Sequence, residues 1–173
     1  WSSDVCSSDL PLGTLIASIS FASFFILVGM GQMLVITTGP GNIDLSIPYT
    51  IALAGSAAMK LMNEVNGSIP CGILLGLAIG AAVGAFNYSL IRFILMPPMI
   101  ATLASSFIVR TLSIVFFRGL QIKPPMGLER FVHIKIGFFP LLFLLVLVIA
   151  GAMHLILTRS SYGRNIHAIG QNI

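Results

Sequence analysis

The sequence predicts an all-α polytopic transmembrane bundle containing one broken helix. Three observations predict it. Hydrophobic residues make up 57% of the chain and charged residues only 8%, against roughly 25% charged in a soluble domain. Apolar stretches of about twenty residues, enough to cross a hydrocarbon core, recur along it. One of them is interrupted by TTGPGNIDLSIP, Thr37 to Pro48, where Gly-Pro-Gly is followed by an acid.

The opening string WSSDVCSSDL is small and polar and breaks sharply from the apolar residues after it. It resembles adapter-derived text rather than a membrane protein's own start, so residues 1–10 are expected to be non-native. A genuine polar cytoplasmic tail is the alternative. Residues 11–173 then form a membrane domain of about five helices, whose acids are Asp44, Glu64 and Glu129 against nine Lys and Arg. The first helix is expected over Leu15 to Thr37, with Gly29 and Gly31 permitting close packing.

The break comes next. No charged residue occurs from Leu10 to Ile43. Pro40 lacks the N–H of a helix interior, and Gly39 and Gly41 favour irregular backbone. At membrane depth such backbone survives only where protein or a water-filled cavity satisfies it. An acid there is costly and marks a functional site by default, and discontinuous helices build solute sites in many transporters. Asn42, Asp44 and Ser46 are therefore candidates for a solute pathway. The competing reading is that Asp44 only caps the helix that restarts near Pro48.

A second helix is expected over Ile47 to Met62, followed by an aqueous turn with Lys60, Asn63, Glu64, Asn66 and Gly67. Pro70 opens a third, running to Ile91. Gly72, Gly76, Gly80 and Gly84 recur every fourth residue and make one smooth face for helix packing. Asn87 extends that helix toward its end, as a bond to another helix or a group facing the pathway. Met96-Pro97-Pro98 forces a tight connection. Met99 to Phe117 is the fourth helix, and its Arg110 is expected in a buried or snorkelling structural role. Arg118 to Gly137 is the longest aqueous segment, and Phe138 to Leu157 the fifth helix. The polar tail TRSSYGRNIHAIGQNI comes last, and Gly163 and Gly170 are expected to break any regular element in it.

Motifs for chemistry are lacking in the sequence. Cys6 and Cys71 make no disulfide framework or metal-ligand spacing. His133, His154 and His167 are scattered. Neither a Walker A motif nor a G-x-S-x-G elbow occurs. No enzyme activity, metal, resident cofactor or nucleic-acid partner is expected.

Four motifs, in order, carry a resemblance. They are VITTGPGNIDLSIP, GAAVGAFNYSLI, MPPMIATLASSFIVRTL and SYGRNIHAIGQN. Together they resemble the membrane permease subunit of bacterial binding-protein-dependent ABC importers, ribose and simple-sugar type. That family carries Gly-Gly-Ile-Asp-Leu-Ser after a Val-Ile-Thr helix end, where this chain has GPGN before Ile43. Arg110 falls at the family's Arg position. Tyr88 departs from it, standing where the family usually has Gly after Asn.

The resemblance implies a multi-pass protein of the bacterial cytoplasmic (inner) membrane. It implies a second permease subunit, cytoplasmic ATPase subunits that bind ATP, and a periplasmic solute-binding protein as partners, besides membrane lipid. The pathway for a monosaccharide or related small polar solute would run past Asn42, Asp44, Ser46 and Asn87. Gly163, Arg164 and Gly170 would lie at the ATPase-coupling end. The chain would be a fragment of a protein roughly twice as long, without its first helix and C-terminal half. An ion-coupled transporter or channel using Asp44 is the alternative. The resemblance also places the tail in the cytoplasm, leaving Lys60, Arg118, Lys123, Arg130 and Lys135 outside and only Arg92, Arg159 and Arg164 inside. The positive-inside rule alone would invert this.

Overall fold

The computed structural model describes residues 10–39, 41–65, 68–119, 123–137 and 139–171. The opening segment up to residue 9, with Pro40, Asn66, Gly67 and Phe138, lies outside the described residues. The elements are α1 (Leu10–Ile36), α2 (Ile47–Glu64), α3 (Ile69–Phe93), α4 (Pro98–Phe117), α5 (Met126–His133), β1 (Lys135–Ile136), β2 (Phe139–Pro140), α6 (Leu141–Arg159) and α7 (Ser161–Gln171). The fold is an all-α bundle, as its composition predicts.

Helices α2, α3 and α4 each begin with a proline in the first turn. The missing proline N–H costs nothing there, because first-turn N–H groups have no intrahelical acceptor. Among the described residues four helices are long and apolar enough to cross a membrane: α1 over Gly13–Ile36, α3, α4 and α6. The second helix of the sequence reading, α2, is not among them. It carries Thr50, Ser56, Lys60, Asn63 and Glu64 in its 18 residues and lies against both α3 and α4. Helix α1 packs on α6, and α7 on α6.

Large hydrophobic side chains such as Phe21, Leu74, Leu77, Val115 and Val148 are exposed, while Ser23, Ser46, Asn87, Thr102, Ser105 and Ser106 are buried. This inverts the soluble pattern. It is the arrangement expected where lipid solvates the outside and helices associate through small and polar residues. On α4 the buried face is Ala101, Thr102, Ser105, Ser106 and Val109. The hydroxyls of Ser105 and Ser106 donate back to the carbonyls of Thr102 (3.0 Å) and Leu103 (2.6 Å), so they add no unpaired polar group to the interface.

The glycine stripe of α3 divides. A Cβ on Gly72 would collide with Met62 and sit 3.0 Å from the Ala58 carbonyl oxygen, and one on Gly76 would touch the Ala58 Cβ at 4.0 Å. This end is close helix packing against α2. A Cβ on Gly80 or Gly84 would meet nothing within 4 Å. Those two glycines open space rather than close it. Cys71 is exposed on the same helix.

Arg110 is exposed on α4, and its guanidinium lies 5.7 Å from the centroid of the Tyr49 ring on α2. Its charge is met by an aromatic face. The aqueous segment after α4 contains the short helix α5, then the antiparallel pair β1–β2 with Lys135 opposite Pro140. Asn63 at the end of α2 donates to the Lys123 carbonyl (2.8 Å) and ties this segment to the α2–α3 end.

The tail corrects an expectation. Gly163 and Gly170 do not break regular structure; α7 runs through both. The break lies at Ser160, whose ψ of 160° is extended. Its hydroxyl then accepts from the Gly163 N–H (3.2 Å), the bond of an N-cap residue. A glycine inside a helix costs about 1 kcal/mol relative to alanine. At Gly163 that cost is accepted because a Cβ would collide with the Leu157 carbonyl across the corner.

Candidate functional site

The site is the non-helical segment between α1 and α2. Helix α1 ends as the Thr37 and Thr38 hydroxyls turn back to the carbonyls of Leu34 (2.9 Å) and Val35 (2.6 Å). Gly41 takes φ = 81°, a left-handed value that a side chain would strain. Asn42 donates to the Thr38 hydroxyl (3.0 Å). The freed backbone beyond it is held from two other helices. Thr102 on α4 accepts from the Leu45 N–H (3.2 Å), and its one proton is shared between the Ile43 carbonyl (3.1 Å) and the Pro98 carbonyl of its own helix (3.0 Å). Gln32 on α1, with its amide turned to match donors to acceptors, donates to the Asp44 carbonyl and accepts from the Asp44 N–H, both at 3.2 Å. Irregular backbone within an apolar bundle is thus satisfied by protein, as it must be.

The side chains form a relay. Asp44 Oδ1 accepts from the Ser46 N–H (2.8 Å) and from the Ser46 hydroxyl (2.6 Å). With its one proton given to Asp44, Ser46 Oγ can only accept, and Asn87 Nδ2 on α3 donates to it (2.9 Å). That fixes the Asn87 amide. Its Oδ1 is buried with no hydrogen-bond partner among the described residues. An orphaned buried acceptor of this kind costs about 1–3 kcal/mol.

Two cavities flank the relay, one of about 220 Å³ and one of about 340 Å³, and Asp44, Gly84 and Asn87 line both. The larger is at the low end of small-molecule sites, roughly 300–1,000 Å³. Ser46, Thr50 and Gly80 line the smaller; Thr38, Asn42, Tyr88 and Thr102 line the larger. No Lys or Arg among the described residues lines either. Among apolar side chains such as Ile47, Val83, Ile43 and Ile91, the wall carries one carboxylate with hydroxyls and amides, groups suited to hydrogen-bonding a neutral solute. Among the described residues no group of three or more His, Cys, Asp or Glu could hold a metal ion.

The structure thus brings together Asp44, Ser46 and Asn87, with Asn42 on the wall of the larger cavity. Gly80 and Gly84 join them as cavity wall. Gly163, Arg164 and Gly170 lie on α7 and line neither cavity. The competing reading of Asp44 is corrected in detail. The carboxylate does accept a backbone N–H, but that of Ser46, the residue before α2, and Ser46 itself makes no side-chain cap. Sequence reasoning missed Gln32 and Thr102. Gln32 had a signal, an amide in a long charge-free helix; Thr102 had none beyond its place after Pro97-Pro98. Thr102→Val keeps the shape and removes both bonds. It is expected to destabilise the full-length permease by about 1–3 kcal/mol, with Thr102→Ser near wild type, as read by thermal unfolding in detergent. A Thr102→Val protein as stable as wild type would contradict this role.

Residues 14–173 match the family described as branched-chain amino acid transport system / permease component. The chain belongs to this permease family. It is a multi-pass protein of the bacterial cytoplasmic membrane, on the strength of that membership and its four long apolar helices. It is 34% identical over 166 residues to the autoinducer 2 import system permease protein LsrC of Enterobacter sp. (strain 638), covering 94% of this chain and 46% of that protein. It is 31% identical over 166 residues to the fructose import permease protein FruF of Bifidobacterium longum, covering 92% and 46%. It is 29% identical over 152 residues to the D-allose transport system permease protein AlsC of Escherichia coli, covering 87% and 46%. The chain thus spans about half the length of these relatives. No solved structure matches it.

Proposed function

We propose that the full protein is the permease subunit of an ABC importer and forms the pathway for a monosaccharide or related neutral, hydroxyl-rich solute. The observation that carries this is the broken helix whose Asp44–Ser46–Asn87 relay sets a few convergent polar groups in the largely apolar walls of two cavities. The family description names branched-chain amino acids, whereas the relatives' names speak of autoinducer 2, fructose and D-allose. An amino acid's carboxylate would meet no described Lys or Arg in either cavity and would face Asp44, which lines both and repels it. The wall favours the neutral solute.

In this reading a second permease subunit completes the pathway, and a periplasmic binding protein delivers the solute. Cytoplasmic ATPase subunits bind the ATP and dock near Gly163, Arg164 and Gly170, so α7 faces the cytoplasm. The permease does no covalent chemistry. The test is uptake of labelled D-fructose and D-allose by cells carrying the full-length permease with its ATPase and binding protein. Uptake should persist under an uncoupler while ATP is maintained. A cysteine replacing Ser161 should label only from the cytoplasmic side. Uptake that collapses with the uncoupler would establish the ion-coupled alternative, and periplasmic labelling would invert the orientation.

A further inference from the structure

We infer that Asn87 Oδ1 is the acceptor of a subsite that takes a hydroxyl hydrogen from the solute and discriminates against molecules offering only acceptors. This rests on the sugar-pathway reading above and gives it an atom. Asn87 is 6% exposed, and its Oδ1 has no partner among the described residues. Its Nδ2 is committed to Ser46 Oγ (2.9 Å), and Ser46 Oγ has spent its only proton on Asp44 Oδ1 (2.6 Å). The amide therefore cannot flip without placing Oδ1 against an oxygen that has no hydrogen to give. The relay holds Asn87 in the wall that both cavities share, with Oδ1 unmet and itself buried. Gly84 lines the same two cavities, and a Cβ there would meet nothing within 4 Å, so room remains beside the amide. A hydroxyl satisfies the carbonyl; an ether oxygen or carbonyl of equal size leaves it orphaned. Sites built around a buried hydrogen-bonding group discriminate strongly against analogues lacking its mate.

The test uses the full-length permease in its complex with ATPase subunits, with Cys71→Ser and Gly84→Cys. The new thiol's reaction rate with a small methanethiosulfonate is measured with and without D-fructose, D-allose or the per-O-methylated form of each. The expected result is at least fivefold slowing by a free sugar and none by its methylated form. Asn87→Leu should abolish that protection. Equal protection by methylated and free sugar overturns the inference even if Asn87→Leu does not reach the membrane. Protection that survives in Asn87→Leu also overturns it, while leaving the importer reading standing. Uptake of a sugar without any protection by it does the same. Absence of both uptake and protection for every sugar overturns the two together.

Discussion

Replacing Gly163 by alanine is expected to destabilise the α6–α7 corner and, in the full-length importer, to reduce uptake by about tenfold or more. Helix propensity alone predicts the opposite sign, since alanine is favoured over glycine by about 1 kcal/mol in a helix interior. Geometry decides against it. A Cβ at position 163 would collide with the carbonyl oxygen of Leu157, a backbone atom in a residue that is itself buried. No flexible side chain stands there to move aside. The turn is also pinned on both sides, because the Ser160 hydroxyl donates to the Ile156 carbonyl (2.6 Å) and accepts from the Gly163 N–H (3.2 Å). Relief must therefore open the corner, at the roughly 1–3 kcal/mol typical of overpacking. Limited proteolysis should cut α7 faster in Gly163→Ala than in wild type. Tyr162→Ala, exposed on the same helix, should leave it unchanged. A Gly163→Ala permease with wild-type proteolysis and uptake would remove Gly163 from both the corner and the coupling role.

Four long apolar helices among the described residues were legible because length and apolarity mark them, and prolines at positions 48, 70 and 98 marked three helix starts, of which the first, α2, falls short of a span. The break was legible for the same reason, since Gly-Pro-Gly cannot continue a helix. What glycine does elsewhere was not. Gly72, Gly80 and Gly163 look alike in sequence, yet one admits Met62, one leaves a cavity and one clears a carbonyl oxygen. The difference lies in what stands opposite, which is set by helix packing and not by spacing. The partners of the break were hidden for a related reason. Thr102 lies 57 residues from Leu45, and a hydroxyl on an apolar helix usually bonds its own backbone, as Ser105 and Ser106 do and as Thr102 also can through Pro98. Asp44 was legible as a candidate because an acid is rare in so long an apolar stretch. Its reach through Ser46 to Asn87 required the register between α2 and α3.

Asp44→Asn and Asp44→Ala are expected to separate widely, and the gap between them distinguishes a structural carboxylate from an ion-coupling one. Asp44 Oδ1 accepts two hydrogen bonds from Ser46, one from backbone and one from hydroxyl. Asparagine keeps an oxygen at that position and can accept both. Its backbone also remains held by Gln32 and, through Ile43 and Leu45, by Thr102. Asp44→Asn should therefore insert normally and keep part of its ATP-dependent uptake. Alanine removes the acceptor. The buried Ser46 then has an unpaired N–H and a hydroxyl proton free to turn toward Asn87, which disorders the relay. Leaving such a group unsatisfied costs about 1–3 kcal/mol, so Asp44→Ala should show lower thermal stability and uptake reduced by about tenfold or more. A carboxylate that must gain and lose a proton or bind sodium gives another pattern. Asp44→Asn would then insert normally with uptake abolished, no better than Asp44→Ala. Measuring membrane expression, thermal stability and uptake of both variants, with and without an uncoupler, decides between them. Abolished uptake in a fully stable Asp44→Asn permease, with wild-type uptake that collapses under the uncoupler, would sink the structural role and the importer reading with it.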